Sequence, residues 1–78
     1  MEIKVLGTGC AKCNQLEGAI KQAVAQAGID AQIEKVTDMA QIMGYGVMTT
    51  PALVVDDEVR VAGRVPSVED LVALLTRG

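Results

Sequence analysis

The sequence predicts an α/β fold in which one mixed four-stranded sheet carries three helices, in the order βαβαββα. Four short segments have the alternating or solidly apolar pattern of strands, and three others have apolar residues at the spacing of a helix face. The first strand, helix and second strand form a parallel βαβ unit, whereas the last two strands form an antiparallel hairpin. A sheet with helices on its faces is the architecture that accommodates both connections.

Both cysteines of the chain fall where the first strand gives way to the first helix. Residues 2–6 alternate polar and apolar before becoming solidly apolar, and they end at a Gly-Thr-Gly loop. The next apolar residues recur every three or four positions up to Gly28, which predicts a helix with one buried stripe. That stripe comprises Cys13, Leu16, Ala19, Ile20, Ala23, Val24 and Ala27. Cys13 is therefore expected to be buried, while Cys10 projects from the helix start.

The middle of the chain predicts a half-buried strand and a short helix. Apolar and polar residues alternate over 29–34. Asp38 and Gln41 resemble a capping box at the start of the helix, and two glycines end it. The apolar patch of this helix comprises Met39, Ile42 and Met43. We interpret these methionines as core residues. Met48 falls in a loop, so whether it belongs to the core stays open.

The last third of the chain predicts a β-hairpin and a terminal helix. The apolar run 52–55, the turn 56–58 and the alternating segment 59–62 form the hairpin. Pro51 opens the first of these strands, a position that proline tolerates. Ser67 is followed three residues later by an acidic residue, which indicates a helix cap. The apolar face of this helix comprises Val68, Leu71, Val72, Leu74 and Leu75.

Length and composition predict one domain covering residues 1–78, with an aliphatic core. Half of the chain is hydrophobic, and Tyr45 is its only aromatic residue. The net charge is −3 and the seven Lys and Arg residues are scattered, so neither nucleic acid nor an anionic membrane is an expected partner. The chain begins without a signal-peptide pattern, and its longest apolar run, 51–55, is too short to span a membrane. We expect a monomer in the cytoplasm.

The two cysteines form a C-x-x-C motif at the predicted helix start. The positive end of the helix dipole stabilises a thiolate at Cys10, and Lys12 adds a nearby cation, so Lys12 is a candidate for tuning the thiol pKa. As a structural bridge the pair is weak, because a ring of about four residues gives only roughly 2 kcal/mol in the chain-entropy account. Zinc prefers four ligands, and the chain has no His and no third Cys. Redox chemistry is favoured, and soft-metal handling stays open.

Further motifs carry a resemblance to a known family. A C-x-x-C motif opens the first long helix, Thr50-Pro51 opens the strand of a C-terminal hairpin, and the segments 45–53 and 62–64 also fit. Over essentially its whole length, the chain resembles the minimal thioredoxin- and glutaredoxin-like redox-active disulfide proteins of prokaryotes. The resemblance implies a thioredoxin-like fold and a thiol-disulfide oxidoreductase that reduces protein disulfides.

The resemblance also implies roles for individual residues. Cys10 would be the attacking nucleophile and Cys13 the resolving thiol, with Pro51 as a cis-proline beside them and Thr50 presenting backbone groups to a bound peptide. No cofactor is implied beyond a redox-active Cys10–Cys13 disulfide, and no metal. The implied partners are protein disulfide substrates and an upstream flavoprotein thioredoxin reductase or a similar enzyme. The tryptophan that precedes the dithiol in thioredoxin and the glutathione-binding segment of glutaredoxin are missing, so substrate preference is not inherited.

Two other functions use the same cysteines. Heavy-metal-associated domains, which carry copper-type soft metals, also place Gly-x-x-Cys-x-x-Cys between their first strand and first helix. Those carriers run βαββαβ and end on a strand, whereas this chain is predicted to end on the helical pattern of residues 67–76. A redox sensor that changes partners on oxidation would use the same dithiol and remains an alternative.

Overall fold

The structure, a computed structural model, describes residues 1–9 and 11–77, the last of these by its backbone alone. Its elements are β1 (Glu2–Leu6), α1 (Ala11–Ala27), β2 (Gln32–Val36), α2 (Met39–Gly44), β3 (Ala52–Val55), β4 (Glu58–Ala62) and α3 (Val68–Arg77). This order is the predicted βαβαββα. Within the described residues, no helix is both long and apolar enough to cross a membrane.

The four strands form one mixed sheet in the order β2-β1-β3-β4. β1 runs parallel to β2 and antiparallel to β3, and β3 and β4 pair as the antiparallel hairpin. The predicted mixed four-stranded sheet with three helices is therefore confirmed. The two central strands are β1 and β3, and Leu6 at the end of β1 lies opposite Ala52 at the start of β3.

The sheet buries residues on both faces, since successive side chains of a strand point to opposite sides. On one face, a large cluster packs beneath α1 and α3; its strand members are Ile3, Val5, Leu53, Val55 and Val61. On the other face, a smaller cluster packs beneath α2; it comprises Leu6, Val36, Ile42, Val47, Ala52 and Val54. All four residues of β3 are buried, because this strand is covered on both faces.

The second strand begins later than its sequence pattern predicted. The alternation indicated 29–34, but β2 spans Gln32–Val36. α1 ends at Ala27, Gly28 adopts a φ of 65°, and the Ile29 N–H donates to the Val24 carbonyl at 3.1 Å. This C-terminal cap reverses the chain and packs Ile29 against the main core before the strand begins. The apolar alternation therefore begins with a partly buried residue of the helix cap, Ile29, which precedes the strand.

The hairpin turn is one residue shorter than predicted. β4 begins at Glu58, so only Asp56 and Asp57 form the turn. Both have positive φ, at 49° and 67°. Two consecutive residues of this kind match the two-residue hairpin turns whose twist suits antiparallel strands, and Asp tolerates the left-handed region better than most residues.

The interpretation of the α2 methionines as core residues is wrong. Asp38 caps the helix as predicted and accepts a hydrogen bond from the Ala40 N–H at 3.1 Å. Ile42 is 2% exposed, but Met39 is 55% exposed and Met43 is 66% exposed. α2 has only six residues. A helix of this length presents one side to the sheet, and Ile42 occupies that side, which leaves both methionines toward solvent.

Candidate active site

The dithiol loop connects the end of β1 to the start of α1. β1 ends at Leu6 and α1 begins at Ala11, so the intervening loop delivers the chain to the helix N-terminus immediately after Cys10. Gly9 has a φ of 92°, which is accessible to glycine and strained for other residues. Cys10 itself lies outside the described residues, so its nucleophilic role stays a prediction.

Cys13 lies in the first turn of α1, on the side that faces the protein interior. It is 3% exposed and disulfide-bonded. Leu16 and Ile20 continue the same buried side of the helix. The expectation that Cys13 belongs to the buried stripe is confirmed, and this burial suits a thiol that reacts only within the site.

Gly7 provides the space that the Cys13 side chain occupies. Its N–H donates to the Val36 carbonyl at 3.0 Å, which ties this loop to the end of β2. A Cβ placed on Gly7 would collide with the Cys13 Sγ and lie 3.0 Å from the Cys13 Cβ. Any side chain at position 7 would therefore have to displace the sulfur.

The Thr50–Pro51 segment lies beside this loop. Leu6 and Ala52 are opposite each other in antiparallel strands, so Pro51 lies next to Gly7 across the strand pair. The Thr50–Pro51 peptide bond is cis, as the resemblance implied. Pro51 is buried, whereas Thr50 is exposed and faces outward beside the loop that precedes Cys10.

Gly63 holds the proline segment from the hairpin side. Its N–H donates to the Pro51 carbonyl at 2.8 Å, and its φ is 79°. A Cβ at this position would lie 2.8 Å from Thr49 Oγ1. The left-handed backbone and the close approach both require glycine, so the end of β4 and the residues before Pro51 are packed as one unit.

An apolar groove of about 290 Å³ opens beside the Thr50–Pro51 segment. We call it the methionine groove; it is lined by Thr8, Met39, Ile42, Met43, Val47, Met48 and Thr50. Ile42 and Val47 are buried, and Met48 is 93% exposed. The groove therefore has a packed floor, exposed thioether walls, and a rim that includes the loop leading to Cys10.

Two lysines of β1 and α1 contribute differently to the surface. Lys12, the candidate for tuning the thiol pKa, lies on the exposed side of the first turn of α1. Lys4 donates a hydrogen bond from Nζ to the Tyr45 hydroxyl at 3.0 Å and also lies 5.7 Å from the centre of the Tyr45 ring. The Tyr45 hydrogen bond is the main cause that raises the pKa of Lys4 above its ordinary value of 10.5.

Comparison with known proteins identifies the family. The family model of the thioredoxin domain matches residues 1–76. A thioredoxin of Methanothermobacter thermautotrophicus is 43% identical over 76 residues, covering 97% of this chain and 99% of that protein. A thioredoxin of Methanocaldococcus jannaschii is 46% identical over 69 residues, covering 88% of this chain and 79% of that protein. The chain belongs to the thioredoxin domain family.

Membership in the thioredoxin domain family identifies the chain as one of the thiol-disulfide oxidoreductases. The structure brings Cys13, Thr50 and Pro51 to one end of the sheet, around Gly7. Lys12 is exposed on the same helix turn as Cys13. Catalytic and substrate-binding roles for these residues stay predictions.

Sequence reasoning missed several features of this thioredoxin-family site. The sequence pattern assigns Gly7 only to the end of a strand. A glycine directly after a buried strand and close to a C-x-x-C motif also indicates that another group packs closely against the backbone there. The contact of Gly63 with Thr49 joins residues far apart in sequence. The exposure of Met39 and Met43 depends on the length of α2 and on what lies beneath it, which no local pattern reports.

Proposed function

We propose that this thioredoxin-family chain reduces disulfide bonds of other proteins in the cytoplasm, using Cys10 and Cys13 as its dithiol. The observation that supports the proposal most strongly is the position of Cys13. Its sulfur is buried against Gly7, beside the cis Thr50–Pro51 segment, and it follows the predicted nucleophile by three residues at the start of a long helix. A shielded second thiol of this kind suits the resolving step of an exchange reaction.

The proposed reaction has two exchange steps. The Cys10 thiolate attacks one sulfur of the partner disulfide; the partner S–S bond breaks, and its second sulfur leaves as a thiolate that takes up a proton. A mixed disulfide now joins Cys10 to the partner. The Cys13 thiol then loses its proton, and the resulting thiolate attacks the Cys10 sulfur. The bond between Cys10 and the partner breaks, and the partner sulfur leaves as a thiolate that takes up a proton. Two electrons have passed to the partner, and the protein holds a Cys10–Cys13 disulfide.

The partner polypeptide is expected to lie along the exposed Thr50. Thr50 precedes the buried Pro51 and shares the rim of the methionine groove with Thr8, which lies two residues before Cys10. An extended peptide that hydrogen-bonds to the Thr50 backbone would bring its disulfide toward the dithiol, as in other cases of strand addition. Lys12 is exposed in the first turn of α1, and its charge is expected to favour the thiolate form of the dithiol.

The cycle is completed when a reductant returns two electrons to the protein. A flavoprotein thioredoxin reductase or a similar enzyme is the proposed upstream partner, and no cofactor resident in this chain is required. The dithiol alone takes up and delivers the electrons, because the steps above exchange sulfur–sulfur bonds only.

The test measures disulfide reduction and soft-metal binding in one preparation. The wild-type protein, kept reduced by dithiothreitol, should accelerate reduction of a model protein disulfide such as that of insulin, and its redox couple should titrate as a two-electron process. Cys10→Ser should abolish the acceleration. A wild-type protein that reduces no protein disulfide but binds one equivalent of Cu(I) tightly would assign the dithiol to a metal carrier instead.

A further inference from the structure

The exposed apolar side chains of this protein are concentrated beside the proposed dithiol site. Among residues 1–9 and 11–76, five large hydrophobic side chains are exposed: Met1, Met39, Met43, Met48 and Val59. Three of these five line the methionine groove, although they come from two different segments of the chain. Scattered exposed apolar residues need no explanation, but their convergence on one groove indicates a binding surface.

The groove is continuous with the surface that the proposed function assigns to the partner polypeptide. Thr50 forms its rim on the side of Pro51, and Thr8 forms its rim on the side of the dithiol loop. A polypeptide whose disulfide reaches Cys10 along Thr50 must therefore pass the opening of the groove. The substrate side chains that flank the substrate's reacting cysteine are therefore the ones that can enter the groove.

The lining of the groove selects the chemistry of its occupant. None of the described residues that line it is charged, and its floor is formed by the buried Ile42 and Val47. A charged or amide side chain that reached this apolar floor, beyond the two threonines of the rim, would lose hydration without gaining a partner. The volume of about 290 Å³ lies at the lower limit of small-molecule pockets, so it suits one large side chain rather than a whole cofactor. Methionine walls adapt to side chains of different shape.

We propose that the methionine groove binds a large apolar side chain adjacent to the cysteine of the substrate, and thereby selects extended segments with Leu, Ile, Met or Phe beside their disulfide. This inference rests on the proposed function, because it names the substrate class of the same site. Met39, Met43 and Met48 are the specificity-determining residues.

The test compares two peptides that differ only beside their single cysteine. One carries Leu-Cys-Leu and the other Asn-Cys-Asn, which is similar in shape but polar; each is joined by a disulfide to a coloured aryl thiol. The second-order rate constant for release of the aryl thiol by the reduced protein is measured for both. The wild-type protein should favour the leucine peptide by about tenfold, which corresponds to roughly 1.4 kcal/mol.

The variant that tests the groove is the triple substitution Met39→Gln, Met43→Gln, Met48→Gln. Glutamine keeps the approximate length of methionine but is polar, and all three positions are exposed. The ratio of the two rate constants should fall to about twofold or less, close to the limit of no discrimination. Val59→Thr, which alters an exposed apolar residue outside the groove, is the matched control and should keep the wild-type ratio. A change in the dithiol itself would alter both rates alike and leave the ratio unchanged.

Each result decides the proposal. Equal wild-type rates for the two peptides, or a triple variant with the wild-type ratio, would overturn the groove as a selector and leave the proposed function in place. Release of aryl thiol from neither peptide would overturn the proposed function itself. If the triple variant is unfolded by circular dichroism, Met48→Gln alone must lower the ratio. A wild-type dimer that the triple substitution makes monomeric, with the ratio unchanged, would assign the groove to a second copy of the chain.

Discussion

Replacement of Gly7 by alanine should make the disulfide of Cys13 easier to reduce. The new methyl group would collide with the Cys13 Sγ and lie 3.0 Å from the Cys13 Cβ. The φ of Gly7 lies outside the positive range that requires glycine, so the backbone tolerates alanine and the cost comes from the contact. Forcing one extra methyl group into a packed site costs about 1–3 kcal/mol.

This cost should fall mainly on the oxidised form. In the disulfide, the Cys13 sulfur is held against position 7. Reduction removes that bond, so we expect the thiol to relieve the contact by rotation about its χ1 angle. For a two-electron couple, about 30 mV corresponds to 1.4 kcal/mol, so a penalty of about 1–3 kcal/mol raises the reduction potential by roughly 20–65 mV. The midpoint of a redox titration against dithiothreitol measures this shift. Urea unfolding of the oxidised variant should show a loss of stability of similar size.

Gly18→Ala is the matched control for the Gly7 substitution. Gly18 lies in α1 and a Cβ there meets nothing within 4 Å. Alanine at this helical position should raise the free energy of unfolding by about 0.5–1 kcal/mol and leave the potential unchanged. If Gly7→Ala destabilises the oxidised and reduced forms equally, and its potential matches the wild type, then the contact with Cys13 does not control the redox couple and the reasoning is refuted.

Two further substitutions test the packing and electrostatics around the site. Gly63→Ala places a Cβ 2.8 Å from Thr49 Oγ1 at a φ of 79°, so urea unfolding should show a loss of about 1–3 kcal/mol, part of which Thr49→Ala should restore. Tyr45→Phe removes the hydrogen bond that raises the pKa of Lys4. Because that pKa is raised on folding, its stabilisation is complete below pH 10.5 and is lost as the pH rises through the folded-state value. In urea unfolding, Tyr45→Phe should be less stable than the wild type near neutral pH, and it should lose less stability than the wild type when the pH rises above 10.5. Equal unfolding curves for the two proteins at both pH values would contradict a stabilising role of the Lys4–Tyr45 pair.

Local periodicity was sufficient to predict the element order and the buried side of α1. Cys13, Leu16 and Ile20 recur at helical spacing, and all three are buried. The antiparallel hairpin followed from the apolar run of β3 and the acidic turn. The start of β2 was not predictable in the same way. Ile29 belongs to the C-terminal cap of α1 and packs against the core from there, so its apolar side chain does not mark a strand.

The site was only partly predictable, because its features depend on tertiary packing. The C-x-x-C motif and the Thr50–Pro51 pair were recognisable by resemblance, and the antiparallel pairing of β1 with β3 is what brings the two segments together. The contact of Gly7 with Cys13 depends on how α1 enters the sheet. The methionine groove depends on the shortness of α2, because a six-residue helix leaves Met39 and Met43 exposed to solvent.

The central claim, that Cys10 attacks a partner disulfide and Cys13 resolves the intermediate, is tested most directly by intact-mass spectrometry of cysteine variants. Each reduced variant is mixed with a protein disulfide substrate and quenched with acid. Cys13→Ser should accumulate a covalent mixed disulfide with the substrate, because the second step lacks its thiol. Cys10→Ser should accumulate none. Equal adducts from both variants, or an adduct only from Cys10→Ser, would contradict the assignment of the two roles.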